Sequence, residues 1–178
     1  PESITLLAHS MGTFLTMEAM RTLALKGDYG PSSRMEALVL AAPDMDFDVF
    51  KGQLATLKQR PKAMIVLVSE KDRALKVSGE LRGGAPRVGS GHRKDELTAE
   101  GLLVLDIASL AKKGDKLSHG TFANSETLIR LVNGGMNLSA IEKAAAGNPA
   151  NLVGETLGVT GDLLSSIIYL PARVAGAR

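Results

Sequence analysis

Leu7-Ala8-His9-Ser10-Met11-Gly12 joins a short apolar run to a helical pattern, and the reading of this stretch decides the fold. Upstream, Ile4-Thr5-Leu6-Leu7-Ala8 is apolar and partly β-branched, as a buried strand of a parallel sheet should be. Downstream, Phe14, Leu15, Ala19 and Leu23 recur at helical spacing across residues 11–26, with Glu18 and Arg21 on other faces. Ser10 therefore falls on a strand-to-helix turn. Ala8 and Gly12, two positions either side, are small enough to let the backbone pass close to its neighbours. A serine so placed points its hydroxyl out of the sheet at a helix start, where N–H groups and the helix dipole can stabilise an oxyanion. Serine is also a favoured helix N-cap, so the position has a purely structural use as well.

Working outward, Gly27-Asp28-Tyr29-Gly30-Pro31 breaks the helical pattern and reads as a loop. Residues 35–42, Met-Glu-Ala-Leu-Val-Leu-Ala-Ala, read as a second buried strand ending at Pro43. Asp46 or Asp48 is placed to cap a helix running to about Gln59, which Arg60-Pro61 ends. Met64 to Val68 is a third strand. Arg73 to Leu81 reads as a helix, with Ala74, Leu75, Val77 and Leu81 available for one face. A Gly-rich polar stretch from Gly83 to Gly91 reads as a loop, and Leu102 to Ile107 as a fourth strand. Strands alternating with helices imply βαβ crossovers and a mainly parallel sheet. Ser125 to Val132 reads as a further helix, followed by short helical pieces divided by glycines and Pro149. The expected organisation is thus an α/β domain over residues 1–135 and a helical tail over residues 136–178.

Composition narrows the class of function. The 178 residues are 44% apolar, enough for a buried core. The 21 Lys and Arg are scattered and aromatic residues make up only 3%, which argues against a stacking platform for nucleic acid. The lack of cysteine removes disulfides, thiolate metal sites and a cysteine nucleophile. Asp44, Asp46 and Asp48 suggest a calcium loop only superficially, because Val49 stands where an EF-hand has Gly and Ala55 where it has Glu. Gly83, Gly84, Gly89 and Gly91 lack the Lys-Ser or Lys-Thr of a phosphate-binding loop. No metal or organic cofactor is expected. The apolar segment from Leu163 to Pro171 is shorter than the roughly 20 residues that span a bilayer, and packing on protein is the expected use of the tail, ahead of a membrane surface.

A serine hydroxyl becomes a strong nucleophile when a histidine accepts its proton and a carboxylate orients that histidine. The chain has three histidines. His9 adjoins the serine but sits on the wrong side of the turn, and His92 reads as a solvated residue of the Gly-rich loop. His119 follows the fourth strand by a loop and precedes a helix, and is the third candidate base. For the acid, Asp72 lies just past the carboxyl end of the third strand, where ligands bind in parallel sheets. It could equally cap the next helix. Asp44 and Asp46 follow the preceding strand and compete with it, whereas Asp106 falls inside a strand.

Residues 3 to about 132 resemble the carboxyl-terminal half of a bacterial α/β-hydrolase of the esterase/lipase-like group, whose members carry an A-H-S-M-G nucleophile elbow. The usual pattern is G-x-S-x-G, and Ala8 replaces its first glycine. The segments Ala41 to Asp46 with Asp48-Val49-Phe50, Ser69 through Leu75, and Ser118-His119 resemble the same group. What the resemblance implies is a Ser10, Asp72, His119 triad, an oxyanion donor at the backbone N–H of Met11, and the last four strands of a partial α/β-hydrolase sheet. It also implies that the earlier strands and the second oxyanion donor lie upstream of Pro1, without which these residues would be inactive and aggregation-prone. The expected activity is hydrolysis of a small-molecule carboxylic ester through an acyl-enzyme on Ser10. Amide hydrolysis or acyl transfer would use the same groups, and a non-catalytic interaction module would keep the fold alone.

Overall fold

The computed structural model describes residues 4–29, 34–110, 118–124 and 167–169. The chain runs β1 (Ile4–His9), α1 (Met11–Leu25), β2 (Met35–Ala41), α2 (Phe47–Thr56), β3 (Ala63–Val68) and α3 (Arg73–Leu81). A 3-10 turn (Val88–Ser90), α4 (Lys94–Ala99), β4 (Leu103–Asp106), a second 3-10 turn (Ala108–Leu110), α5 (Thr121–Asn124) and β5 (Ile167–Tyr169) follow. The strands form one sheet in the order β1-β2-β3-β4-β5. The first four are parallel, with Ala8 opposite Leu40, Leu40 opposite Val66, and Val66 opposite Val104. This is a partial α/β-hydrolase fold with flanking helices.

The apolar runs of β2 and β3 are buried on both faces, as parallel strands require. On one face Leu38, Leu40, Met64, Val66 and Val68 meet Met17 and Met20 of α1 and Phe47, Phe50 and Leu54 of α2 in a continuous core. Asp46 caps α2, its side chain accepting from the N–H groups of Asp48 and Val49, which decides between the two capping candidates.

The face of α1 that packs is not the one its spacing suggested. Thr13, Met17, Met20 and Ala24 are buried, whereas Phe14 is 38% and Leu15 67% exposed. Two apolar stripes run along this helix, and the stripe turned inward contains a threonine. Thr13 tolerates full burial because its hydroxyl donates to the Ser10 carbonyl at 2.6 Å. On α3 likewise, Leu75 and Gly79 are buried while Val77 and Leu81 are exposed.

The Gly-rich stretch also differs from a solvated loop. Arg87, Val88 and Gly89 are buried, and a Cβ on Gly89 would stand 2.7 Å from Ala42 C, Pro43 N and Leu75 Cδ1. Gly89 therefore lets this segment press between the end of β2 and the start of α3. His92 is exposed, as expected. The helix Lys94–Ala99 had no counterpart in the sequence reading.

The expected helical tail needs a correction at Ile167–Tyr169, which pairs antiparallel with β4, Leu105 lying opposite Ile168. Ile-Ile-Tyr combines β-branched and aromatic residues, and pairing with β4 satisfies its backbone groups. The helix expected over Ser125 to Val132 and the rest of the tail lie outside the described residues.

Candidate active site

Ser10 sits between β1 and α1 with φ 53° and ψ −129°, a conformation a non-glycine residue adopts only when its surroundings hold it. Its N–H donates to Ala41 O at 3.0 Å across to β2. Its carbonyl accepts from Thr13 N, Thr13 Oγ1 and Asp44 N. These contacts fix both ends of the residue while its side chain makes no cap on α1. The helix-capping use of Ser10 is therefore absent. Its Oγ instead lies 2.8 Å from His119 Nε2.

His119 is carried on a turn before α5, where Ser118 has φ 55° and the Ser118 carbonyl accepts from Thr121 Oγ1. Its Nδ1 is 2.7 Å from Asp72 Oδ2. A carboxylate accepts, so Nδ1 carries a proton, and in the neutral ring Nε2 is left free to accept from Ser10. His119 holds its proton more tightly than an ordinary histidine, first because of the hydrogen bond to Asp72; burial opposes this, and the charges of Asp72 and Asp44 add to it.

Asp72 makes two contacts at once. It is 4% exposed, and its Oδ1 accepts from Leu75 N at 3.0 Å, capping α3, while Oδ2 faces His119. The loop before it is tied down by Ser69 N donating to Gly89 O and Asp72 N to Ser69 O.

The competing acids are engaged elsewhere. Asp46 caps α2. Asp44 accepts from Ser78 Oγ at 2.8 Å and lies 3.2 Å from Nε of Arg87, whose side chain is almost wholly buried. Asp106 and Glu70 share Lys94, whose ammonium is held well above the usual lysine range by these carboxylates despite burial. Met11 opens α1, so its N–H belongs to the first-turn donors that have no acceptor within a helix. Sequence reasoning missed Arg87, Ser78 and Lys94, each of which lies far in sequence from the carboxylate it meets. A cavity of about 320 Å³ opens beside Asp72, lined also by Ser69, Lys76, Arg87 and His92, but neither Ser10 nor His119 borders it.

A family model described as "Alpha/beta hydrolase of unknown function (DUF900)" matches residues 1–134. The chain belongs to this family. Comparison with curated proteins and with solved structures found no match. Membership in this α/β-hydrolase family supports a hydrolase. In this α/β-hydrolase, β5 comes from outside the matched residues.

Proposed function

We propose that this α/β-hydrolase is a serine hydrolase that cleaves a carboxylic ester through an acyl-enzyme on Ser10. The observation that carries the reading is the unbroken line of contacts from Ser10 Oγ to His119 Nε2 at 2.8 Å and from His119 Nδ1 to Asp72 Oδ2 at 2.7 Å. Those distances are the ones general-base activation of a hydroxyl needs.

In the proposed reaction, His119 Nε2 takes the Ser10 proton as Oγ bonds to the ester carbonyl carbon, and the carbonyl π pair moves onto oxygen. The Met11 N–H would receive that oxyanion. Collapse expels the alcohol oxygen, which takes the proton from Nε2. Water then gives a proton to Nε2 and attacks the acyl carbon, and Ser10 Oγ leaves with that proton. Asp72 stays ionised throughout, fixing the tautomer of His119 and stabilising the imidazolium.

A fluorophosphonate probe tests the reading, since it phosphonylates a serine only when that serine is activated. The full-length protein should label at Ser10, identified by peptide mass, and hydrolyse short-chain p-nitrophenyl esters. Labelling that persists in Ser10→Ala, or an inert wild-type protein, would overturn it.

A further inference from the structure

We propose that His9 is a positioning residue that clamps His119 through its backbone and its ring at once. This rests on the reading of Ser10 and His119 as nucleophile and base. His9 ends β1, paired with Ala41 of β2, so its own position is fixed by the sheet. Its Nε2 lies 3.3 Å from the His119 carbonyl oxygen. A carbonyl only accepts, so Nε2 is the protonated nitrogen. The two imidazoles also meet at a tilt, with centroids 4.8 Å apart and planes inclined by 43°. His9 therefore restrains the main chain of His119 and one side of its ring, while Asp72 holds the opposite nitrogen through Nδ1.

The contact joins two turns of unfavourable backbone geometry, at Ser10 with φ 53° and at Ser118 with φ 55°. Each such residue persists only where its surroundings over-determine it. A side chain between the two turns couples their positions, so the 2.8 Å separation of Ser10 Oγ and His119 Nε2 depends on it. Among the described residues, His119 and Asp72 are charged or titratable groups that act on His9. Burial pushes His9 below the usual histidine range; the His119 carbonyl and the Asp72 charge oppose that, and His119 adds to it. A neutral His9 donates through Nε2 without setting a second cation beside His119 when that ring takes the serine proton.

The test uses three forms of the full-length protein: wild type, His9→Phe, which keeps a ring and loses the donor, and His9→Gln, whose amide nitrogen restores a donor near the Nε2 position. Fluorophosphonate labelling should show the maximal inactivation rate of His9→Phe reduced about tenfold, as expected from loss of alignment, with probe affinity changed by less than about threefold. His9→Gln should recover most of the rate. Labelling of His9→Phe at the wild-type rate, or no recovery in His9→Gln, would overturn the proposal. A second readout follows the His119 ring by NMR. In His9→Phe its pKa should fall toward the ordinary 6.5 as the contact with Asp72 loosens, with recovery in His9→Gln. An unchanged titration would refute the clamp. A wild-type protein that does not label would sink the esterase reading, and the titration would still decide the role of His9.

Discussion

The carboxylate of Asp72 reaches His119 from the cap of a helix: one oxygen accepts from the Leu75 N–H while the other lies 2.7 Å from His119 Nδ1. The acid is thereby aimed by secondary structure, because turning its side chain away from His119 would also uncap α3. The two uses separate by mutation. Asparagine caps helices as well as aspartate does, so Asp72→Asn should keep the Leu75 contact and change stability by less than about 1 kcal/mol. Its amide would favour the wrong tautomer of His119 and lower turnover by roughly 10⁴-fold. Asp72→Ala should lose both functions and be less stable than Asp72→Asn by about 1 kcal/mol. Thermal melts and ester hydrolysis of the two variants check this, and equal stability would show that the cap contributes nothing.

The pH dependence follows from the raised pKa of His119. In the proposed reaction His119 works in its neutral form, so labelling by a fluorophosphonate should rise with pH through a midpoint above 6.5. Asp72→Asn should move that midpoint down, since the hydrogen bond to Asp72 is the largest cause of the rise. For stability the sign is the opposite one. A group whose pKa is raised on folding contributes fully below its unfolded value and loses that contribution as pH rises through the folded value. Unfolding of the wild type should therefore show a loss of stability just above pH 6.5 that Asp72→Asn diminishes. A labelling midpoint below 6.5 would contradict the assignment of His119 as base.

The proposed nucleophile Ser10 also carries backbone strain. Alanine at φ 53° keeps the unfavourable backbone, while glycine adopts it freely. Ser10→Ala should abolish ester hydrolysis, a loss on the order of 10⁴ to 10⁶ in rate for a nucleophile of this kind. Ser10→Gly should be equally inactive but more stable than Ser10→Ala, by up to about 1 kcal/mol after the entropic cost of glycine in the unfolded chain. Denaturant titration of both variants measures the difference. A less stable Ser10→Gly would mean that the elbow is not strained.

Gly89 lets two sides of the site close in by the width of a missing Cβ. Its N–H donates to Pro43 O and its carbonyl accepts from Ser69 N, so it links the turn carrying Asp44 to the loop carrying Asp72. Two of the atoms a Cβ would meet at 2.7 Å are backbone, which cannot swing aside. Gly89→Ala should therefore destabilise by about 1 to 3 kcal/mol, in the range of core overpacking, and slow labelling of Ser10. A variant as stable and as reactive as wild type would show that the segment has room to move.

Much of this was legible in the sequence because the signals are local. Runs such as Met64 to Val68 announce buried parallel strands, and small residues around Ser10 mark a tight turn before a helix. Candidate acids were harder, because Asp44, Asp46 and Asp72 all follow strands or precede helices. Contacts more than 30 residues apart separate them: Ser78 with Asp44, His119 with Asp72. The inward stripe of α1 was missed because Thr13 resembles a surface residue until its hydroxyl finds the Ser10 carbonyl. The burial of Arg87 to Gly89 within the Gly-rich stretch was missed for a related reason, since glycine and arginine suggest solvent while Gly89 is there for close approach and Arg87 for Asp44.

The short strand β5 makes its own prediction. Ile167 to Tyr169 covers the edge of β4 that would otherwise present unpaired N–H and C=O groups, and Asp106, opposite Ile167, also binds Lys94 of α4. Proline at position 168 fixes φ near −65° and removes an N–H, both of which disfavour a paired strand. Ile168→Pro should release β5 from β4. Amide hydrogen exchange would then accelerate for those N–H groups of Val104, Leu105 and Asp106 that face β5, while those facing β3 stay protected. The described core rests on β1 to β4 with α1, α2 and α4, so the melting temperature should fall only by a few degrees, about the effect of 1 kcal/mol in a domain of this size. Exchange that accelerates equally on both sides of β4 would show that β5 is needed to hold the whole sheet, and unchanged exchange would show that it does not pair in solution.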